Sequence, residues 1–228
     1  GKPIQRSGGF SAVALSADGR KLATANLSAE IQLQDIANPA APLTLATAKT
    51  EKPVDSLVFG ADGRTLLTVT TSETVQLWNI AEFNRMTALN QSLSDSSGVK
   101  FTYAALSPAG NTLATIGGDQ AVNLWKVSDL AGPKPAPIAT FPPEPLFGGI
   151  RTEAVRFSPD GHCLAVANTK DGVQLWDLTD PAKPVVFGLL SRNDIPGERV
   201  DSAILGPDRN FLTTTSYDNG VYLWRVRR

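Results

Sequence analysis

Cysteine and histidine are almost missing from this 228-residue chain, which carries one of each, Cys163 and His162. A single cysteine excludes an internal disulfide framework and the Cys-rich zinc sites, which need several thiolates at fixed spacing. A single histidine leaves most imidazole-based catalysis without material. No apolar run exceeds a few residues, so no segment reaches the ~20 residues of a membrane-spanning helix, and no membrane insertion is expected. An excess of charge is lacking too: 21 basic against 22 acidic residues give a net charge of −1. Phosphate binding needs clustered Lys and Arg, so no nucleic-acid partner is expected.

What is present is an ordinary apolar fraction, 42%, enough to bury a sizeable core without a disulfide or a metal. Glycine (19) and proline (16) are spread along the chain, as in proteins of many short strands joined by turns. No n-region or h-region of a signal peptide precedes or follows Gly1 within the sequence. The start reads as that of a processed form or a cloned fragment, which leaves open what precedes it. The expected compartment is the cytoplasm.

One turn recurs five times. Ser16-Ala-Asp-Gly19, Gly60-Ala-Asp-Gly63, Ser107-Pro-Ala-Gly110, Ser158-Pro-Asp-Gly161 and Gly206-Pro-Asp-Arg209 are variants of a single tetrapeptide. Proline pre-sets φ at its second position, Asp suits the third, and Gly tolerates the closing conformation. Fifteen residues after each turn stand Gln34, Trp78, Trp125, Trp176 and Trp224, whereas the turn-to-turn spacing varies as 44, 47, 51 and 48. A constant core with elastic joints is the signature of a repeated supersecondary unit.

The interior of each core agrees. Leu22, Leu66, Leu113, Leu164 or Leu212 stands three residues after the turn. Leu33, Leu77, Leu124, Leu175 or Leu223 immediately precedes the Trp position, and Ile36, Ile80, Val127, Leu178 or Val226 follows it by two. In a strand these last two sets point to opposite faces, so the strand must be covered on both sides. A strand precedes each turn (Val13/Leu15, Leu57/Phe59, Ala104/Leu106, Val155/Phe157, Ala203/Leu205). A fourth short strand is expected near Pro42–Leu45, Met86–Leu89, Ala136–Ala139 and Val185–Gly188. The expected fold is all-β: a single domain over 1–228, a β-propeller of four-stranded antiparallel blades. Its repeat units run about 1–36, 37–80, 81–127, 128–178 and 179–228.

The strings Val75-Gln-Leu-Trp-Asn79, Val122-Asn-Leu-Trp-Lys126, Val173-Gln-Leu-Trp-Asp177 and Val221-Tyr-Leu-Trp-Arg225 resemble the end of a WD repeat. Together with the Ser-Pro-Asp-Gly turn and an Asp in the preceding hairpin (Asp119, Asp171, Asp218), the resemblance covers essentially the whole chain. It is similar to the bacterial type of repeat, in degenerate form. The Gly-His pair of the family is absent, and with it the network joining that His to the hairpin Asp, which leaves the apolar ladder as the main packing force. The resemblance implies a platform that presents loops to partners, often behind an NTPase or kinase module in a large bacterial signalling protein. It implies either that Lys2–Gln5 supplies the fourth strand of the fifth blade and closes a five-bladed ring, or that the five units belong to a larger propeller.

Chemistry finds little to work with. His162 follows a turn glycine and reads as an exposed turn residue, and Cys163 beside it as a half-buried structural thiol. Asp177/Asp180, Glu51/Asp55 and Glu198/Asp201 are paired carboxylates in loops or at strand ends. No EF-hand spacing or glycine-rich phosphate loop occurs. No catalytic residue, cofactor or metal is expected. Phe141 and Phe147 lie in the proline-rich joint 133–153, either exposed for recognition or tucked back on a blade. The face that WD-repeat proteins usually turn to partners would carry Phe147, Arg151, Glu153, Arg192, Asp194 and Arg199, with Tyr217 and Asp218 from a hairpin. Arg6, Lys52, Glu73, Asp119, Lys170, Asp171 and Glu198 map there as well. Mixed charge suits a protein or peptide partner. The leading expectation is a non-catalytic protein- or peptide-interaction scaffold. The alternatives are a lactonase-like propeller hydrolase with a metal in its central channel, or a ligand-sensing domain.

Overall fold

The computed structural model describes residues 9–60, 63–71, 74–82, 84–89, 93, 101–117, 121–130, 135–141, 152–168, 172–191, 194, 200–206, 208–216 and 220–226; the side chains of Thr102, Thr152, Glu153, Asn168 and Asp201 are not among them. Among the described residues five antiparallel sheets account for nearly all of the regular structure, beside a 3-10 turn at Val127–Asp129. No helix among the described residues is long and apolar enough to cross a membrane.

The chain divides into two compact units. The first, 1–100 with 130–133, holds two sheets. Sheet 1 runs β1 (Phe10–Leu15), β2 (Lys21–Asn26), β3 (Glu30–Asp35), β4 (Leu43–Lys49). Sheet 2 runs β5 (Val54–Phe59), β6 (Thr65–Thr70), β7 (Val75–Asn79), β8 (Thr87–Ala88). The second unit, 101–129 with 134–228, holds three. Sheet 3 is β9 (Phe101–Leu106), β10 (Thr112–Gly117), β11 (Val122–Lys126), β12 (Ala139–Phe141). Sheet 4 is β13 (Thr152–Phe157), β14 (Cys163–Asn168), β15 (Gly172–Asp177), β16 (Val185–Ser191). Sheet 5 has three strands among the described residues: β17 (Val200–Leu205), β18 (Phe211–Ser216) and β19 (Val221–Arg225). In every sheet the spatial order follows the sequence order, so each sheet is a meander. Lys2–Gln5, the segment expected to close the ring, lies outside the described residues.

The turns form for the reasons their residues suggest. Gly19, Gly110 and Gly161 adopt φ of 68°, 72° and 75°, where a Cβ would be strained. Serine at the first position adds a clamp that spacing alone does not reveal. Ser16 Oγ accepts the Lys21 N–H at 2.8 Å and donates to Asp18 Oδ1 at 2.6 Å. Ser158 repeats this with Cys163 N–H and Asp160. In the third turn Ala109 replaces the aspartate, and Ser107 donates to Asn111 instead, at 2.9 Å.

Register explains the fixed interval. Leu66, Leu113, Leu164 and Leu212 sit directly opposite Trp78, Trp125, Trp176 and Trp224 on the adjoining strand, and Leu22 opposite Gln34. The N–H two residues beyond each of these positions donates to the carbonyl of the residue after the turn, at 2.7–2.9 Å in all five sheets. Each first strand also carries one extra residue near its start: Ser11, Asp55, Thr102, Glu153 or Asp201. Such bulges raise the local twist.

Faces divide by size. In sheet 4, Leu164, Val166, Trp176 and Leu178 pack with Ala114, Ile116 and Leu124 of sheet 3. The opposite face presents Cys163, Ala165, Ala167 and Leu175 to Leu205, Leu212 and Trp224 of sheet 5. Sheet 2 sets Leu66, Trp78 and Ile80 against Ala23, Ala25, Ile31 and Leu33 of sheet 1 in the same way. Small residues on one sheet thus make room for an indole on the next. Each fully buried Leu or Val contributes about 1.5–3 kcal/mol relative to exposure.

Within their own sheets Trp78, Trp125 and Trp224 also donate their indole N–H to Thr68, Thr115 and Thr214 at 3.1, 2.8 and 2.8 Å. Two expectations need correction. The fourth strand of sheet 3 falls at Ala139–Phe141, later than Ala136–Ala139, since Pro135 and Pro137 have no N–H to donate. Among the described residues, one face of the third strand is uncovered in sheet 5, where Val221 and Leu223 are 71% and 70% exposed, against 0% and 3% for Val173 and Leu175 in sheet 4.

Sheet 4 has Val166 where its counterparts have threonine, and the buried Trp176 Nε1 has no partner. A buried unpaired donor costs about 1–3 kcal/mol. Val166→Thr is therefore expected to raise the free energy of unfolding by about 1 kcal/mol, and Thr115→Val to lower it by about 1–2 kcal/mol, both read by urea denaturation. A neutral or destabilising Val166→Thr would show that the Trp176 indole finds a partner in the folded protein.

Candidate functional site

Of the residues assigned to a partner face, Phe147, Arg151, Arg192, Arg199, Tyr217 and Asp218 lie outside the described residues, as do Arg6, Glu73, Asp119, Lys170, Asp171 and Glu198. Glu153 occupies the bulge of β13, and Asp194 and Lys52 are exposed.

Of the paired carboxylates, Asp177 and Asp180 are engaged in turns. Asp177 Oδ1 accepts both the N–H and the hydroxyl of Thr179, at 2.7 and 2.6 Å, and Asp180 Oδ1 accepts the Ala182 N–H at 3.1 Å. Glu51 and Asp55 are exposed. His162 is exposed, with its backbone N–H given to Asp160 at 3.0 Å. Cys163 is buried rather than half-buried, at 1% exposure, because it is on the β14 face that sheet 5 covers. Burial pushes its thiol up from the ordinary range, away from the reactive thiolate. Phe141 is buried too, packed on Trp176 with ring centroids 4.2 Å apart, so it belongs to the blade. Among the described residues no three His, Cys, Asp or Glu side chains converge as a metal-ligand set.

The distinctive group is one that spacing marked only as an irregularity. Arg209 stands where four other turns have glycine, and it adopts φ 58°, a left-handed conformation that costs a non-glycine residue about 1–2 kcal/mol. Its side chain crosses to the turn of the preceding sheet, where Nε and NH2 both meet Asp160 Oδ2, at 2.7 and 2.6 Å. Burial of Asp160 by itself raises the pKa. Hydrogen bonds from Ser158 and the His162 N–H, with the Arg209 guanidinium, outweigh it and hold the carboxyl down at about 2. Beside this pair is a cavity of about 260 Å³ lined by Cys163, Asp177, Phe187 and Arg209. Thr179 above all, helped by the nearby Arg209, also holds Asp177 below the ordinary carboxylate range. A smaller hollow, about 180 Å³, lies over sheet 1 between Phe10, Thr24, Asn26, Glu30 and Gln32.

The sign of the Asp160 contribution follows from linkage. With a folded pKa of about 2 and an ordinary value of 3.8, the stabilisation is complete above pH 3.8 and disappears as pH falls through about 2. Solvent reaches a third of the Asp160 side chain, which screens the pair and reduces the contribution to about 1 kcal/mol. Asp160→Asn is expected to lower the urea midpoint at pH 5–7 and to converge with the parent chain between about pH 4 and 2. Parallel pH profiles for the two chains would remove Asp160 from the acid limb.

No protein-family model matches the sequence, and no curated protein matches it. Among solved structures the chain is similar to the β-propeller domain of Cps50 (Swd1) from Myceliophteria thermophila. The TM-score is 0.72 at 13% identity, over 95% of this chain and 68% of that one. At that identity the likeness carries the fold alone, and with the five meander sheets it makes this chain an all-β protein of the β-propeller fold.

Proposed function

We propose that the chain is a non-catalytic interaction scaffold, a WD-repeat propeller domain of the degenerate bacterial type that presents its loops to a protein or peptide. The observation that carries this reading is where the polar chemistry goes. Ser16, Asp18, Ser158, Asp160, Asp177 and Asp180 all close turns, while Thr68, Thr115 and Thr214 hold tryptophans. What remains for function is surface on a repeated, well-packed frame, the arrangement in which loops carry recognition. The resemblance of the Val-x-Leu-Trp strings to WD repeats supports the family reading, and the likeness to a solved β-propeller supports a protein partner. On this reading all 228 residues form one domain of a larger cytoplasmic signalling or regulatory protein.

The partner face is drawn from the long connections and the hairpin at Tyr217-Asp218, with Arg151, Arg192 and Arg199 as cations and Glu153 and Asp194 as anions. Charged residues at the rim of an interface act mainly on association rate and specificity. The double variant Arg151→Glu/Arg199→Glu is expected to weaken retention of a cross-linked protein partner about tenfold or more while leaving the unfolding midpoint unchanged. Unaltered retention would remove these loops from the interface, and a parent chain that retains no partner would sink the scaffold reading.

A further inference from the structure

We propose that the cavity bounded by Cys163, Asp177, Phe187 and Arg209 is a pocket for one basic side chain, an arginine or a lysine, of a peptide. The proposal rests on the scaffold reading and gives it a specific contact. Size is the first argument. About 260 Å³ lies below the range of small-molecule sites, roughly 300–1,000 Å³, and suits one long side chain.

Charge decides the class. Arg209 is the cation in the lining, and Asp160 already engages its Nε and NH2. That pair is close to neutral as a unit. Among the described lining residues Asp177 is the other charged group: Thr179 occupies only its Oδ1, and its Oδ2 has no partner among the described residues. The Asp177 carboxyl stays ionised well below neutral pH. A guanidinium or ammonium entering the cavity therefore meets an ionised, half-free carboxylate. The Phe187 ring offers a wall over which a cation or its methylene stem can lie. The buried, protonated Cys163 adds apolar surface without competing charge.

Backbone strain is the independent observation. Glycine would serve the fifth turn as it serves the other four, yet Arg209 is held at φ 58° there. Ala29 and Asn84 also adopt positive φ, so what sets Arg209 apart is what its side chain does there. Here the side chain neutralises Asp160, fixes the neighbouring turn and forms one wall of the cavity. In this account Arg209 shapes the pocket and Asp177 recognises the ligand.

The test uses the full 228-residue chain and three capped amino acids: Nα-acetyl-arginine amide, its neutral isostere Nα-acetyl-citrulline amide, and Nα-acetyl-glutamate amide. Backbone amide shifts of Cys163, Thr179 and Phe187 are followed by NMR. The arginine probe should saturate with a Kd on the order of 1 mM, and citrulline should bind at least about tenfold more weakly. Asp177→Asn keeps the acceptor for Thr179 and so preserves the turn; it should weaken the arginine probe about fivefold or more. Arg209→Gly removes one wall of the cavity, so arginine binding should weaken about threefold or more, and unchanged binding would remove Arg209 from the pocket. No saturation by about 20 mM, equal binding of citrulline, or indifference to Asp177→Asn would each overturn the proposal. So would tighter binding of the glutamate probe that Arg209→Gly abolishes, which would make the cavity an anion site. If the probe fails while Arg151→Glu/Arg199→Glu still abolishes partner retention, the pocket falls and the scaffold reading stands. If the probe binds as expected and no partner is retained, the pocket stands and the scaffold reading falls.

Discussion

An indole held opposite a leucine, one strand over and in register, governs most of what this chain does with its sequence. The pair must fall on the face that packs against the small residues of the preceding sheet within each unit, as Trp78 does on Ala23 and Ala25, and Trp224 on Ala165 and Ala167. Side chains alternate across a strand, so inserting one residue anywhere between turn and tryptophan would send the indole to the wrong face. That is why the interval of 15 is invariant while the turn-to-turn spacing ranges from 44 to 51. Insertions outside the hairpin lengthen a connection and leave the register untouched.

Much of this was legible beforehand because it depends on local geometry. The five turns, the three strands around each and the two-faced third strand follow from tetrapeptides and apolar alternation, and the sheets have that order. What the sequence concealed depends on neighbours. The extra residue in each first strand is polar in all five sheets (Ser11, Asp55, Thr102, Glu153 and Asp201), but a polar residue between apolar ones also fits plain strand alternation, so it does not announce a bulge. The threonine that accepts each indole N–H was in plain view ten residues before the tryptophan, but a β-strand threonine usually signals only strand propensity. Only the register makes Thr115 an acceptor and Val166 a missing one. Cys163 was placed too near the surface and Phe141 was left open for a related reason: their exposure is set by the adjoining sheet and by Trp176, not by adjacent residues. As for the partner face, the structure places only the Glu153 backbone, Asp194 and Lys52.

Hydroxyl and carboxylate groups have a consistent use across the sheets. Ser16 and Ser158 bind a backbone N–H and an aspartate at once, so one hydroxyl ties together two parts of a tight turn. The third turn loses its aspartate and recovers the interaction through Asn111, a substitution that preserves the hydrogen bond rather than the residue. The turns opened by Gly60 and Gly206 have no hydroxyl to form the clamp, so the feature common to all five is the backbone bond from the fourth residue to the first. A repeat defined by hydrogen bonds tolerates drift that a repeat defined by letters does not, which is consistent with a solved β-propeller being recognisable at 13% identity.

An array of near-equal units has a consequence for where function can reside. A residue required by every unit is explained by packing or turn geometry and says nothing about a ligand. Individuality is confined to departures from the common plan, and these differ in kind. Gln34 and Val166 each leave a buried polar atom unpaired, which lowers stability and offers nothing to a partner. Arg209 differs because its departure carries a local conformational cost and brings two charge-assisted bonds to another sheet. The exchange is close to even in stability: about 1–2 kcal/mol of left-handed strain against a partly exposed ion pair of about 1 kcal/mol. Net stability therefore gives no reason to keep an arginine where glycine would fold as well. What distinguishes arginine is the surface it makes, a cavity wall with its charge already balanced and the Asp177 carboxylate beside it left to act.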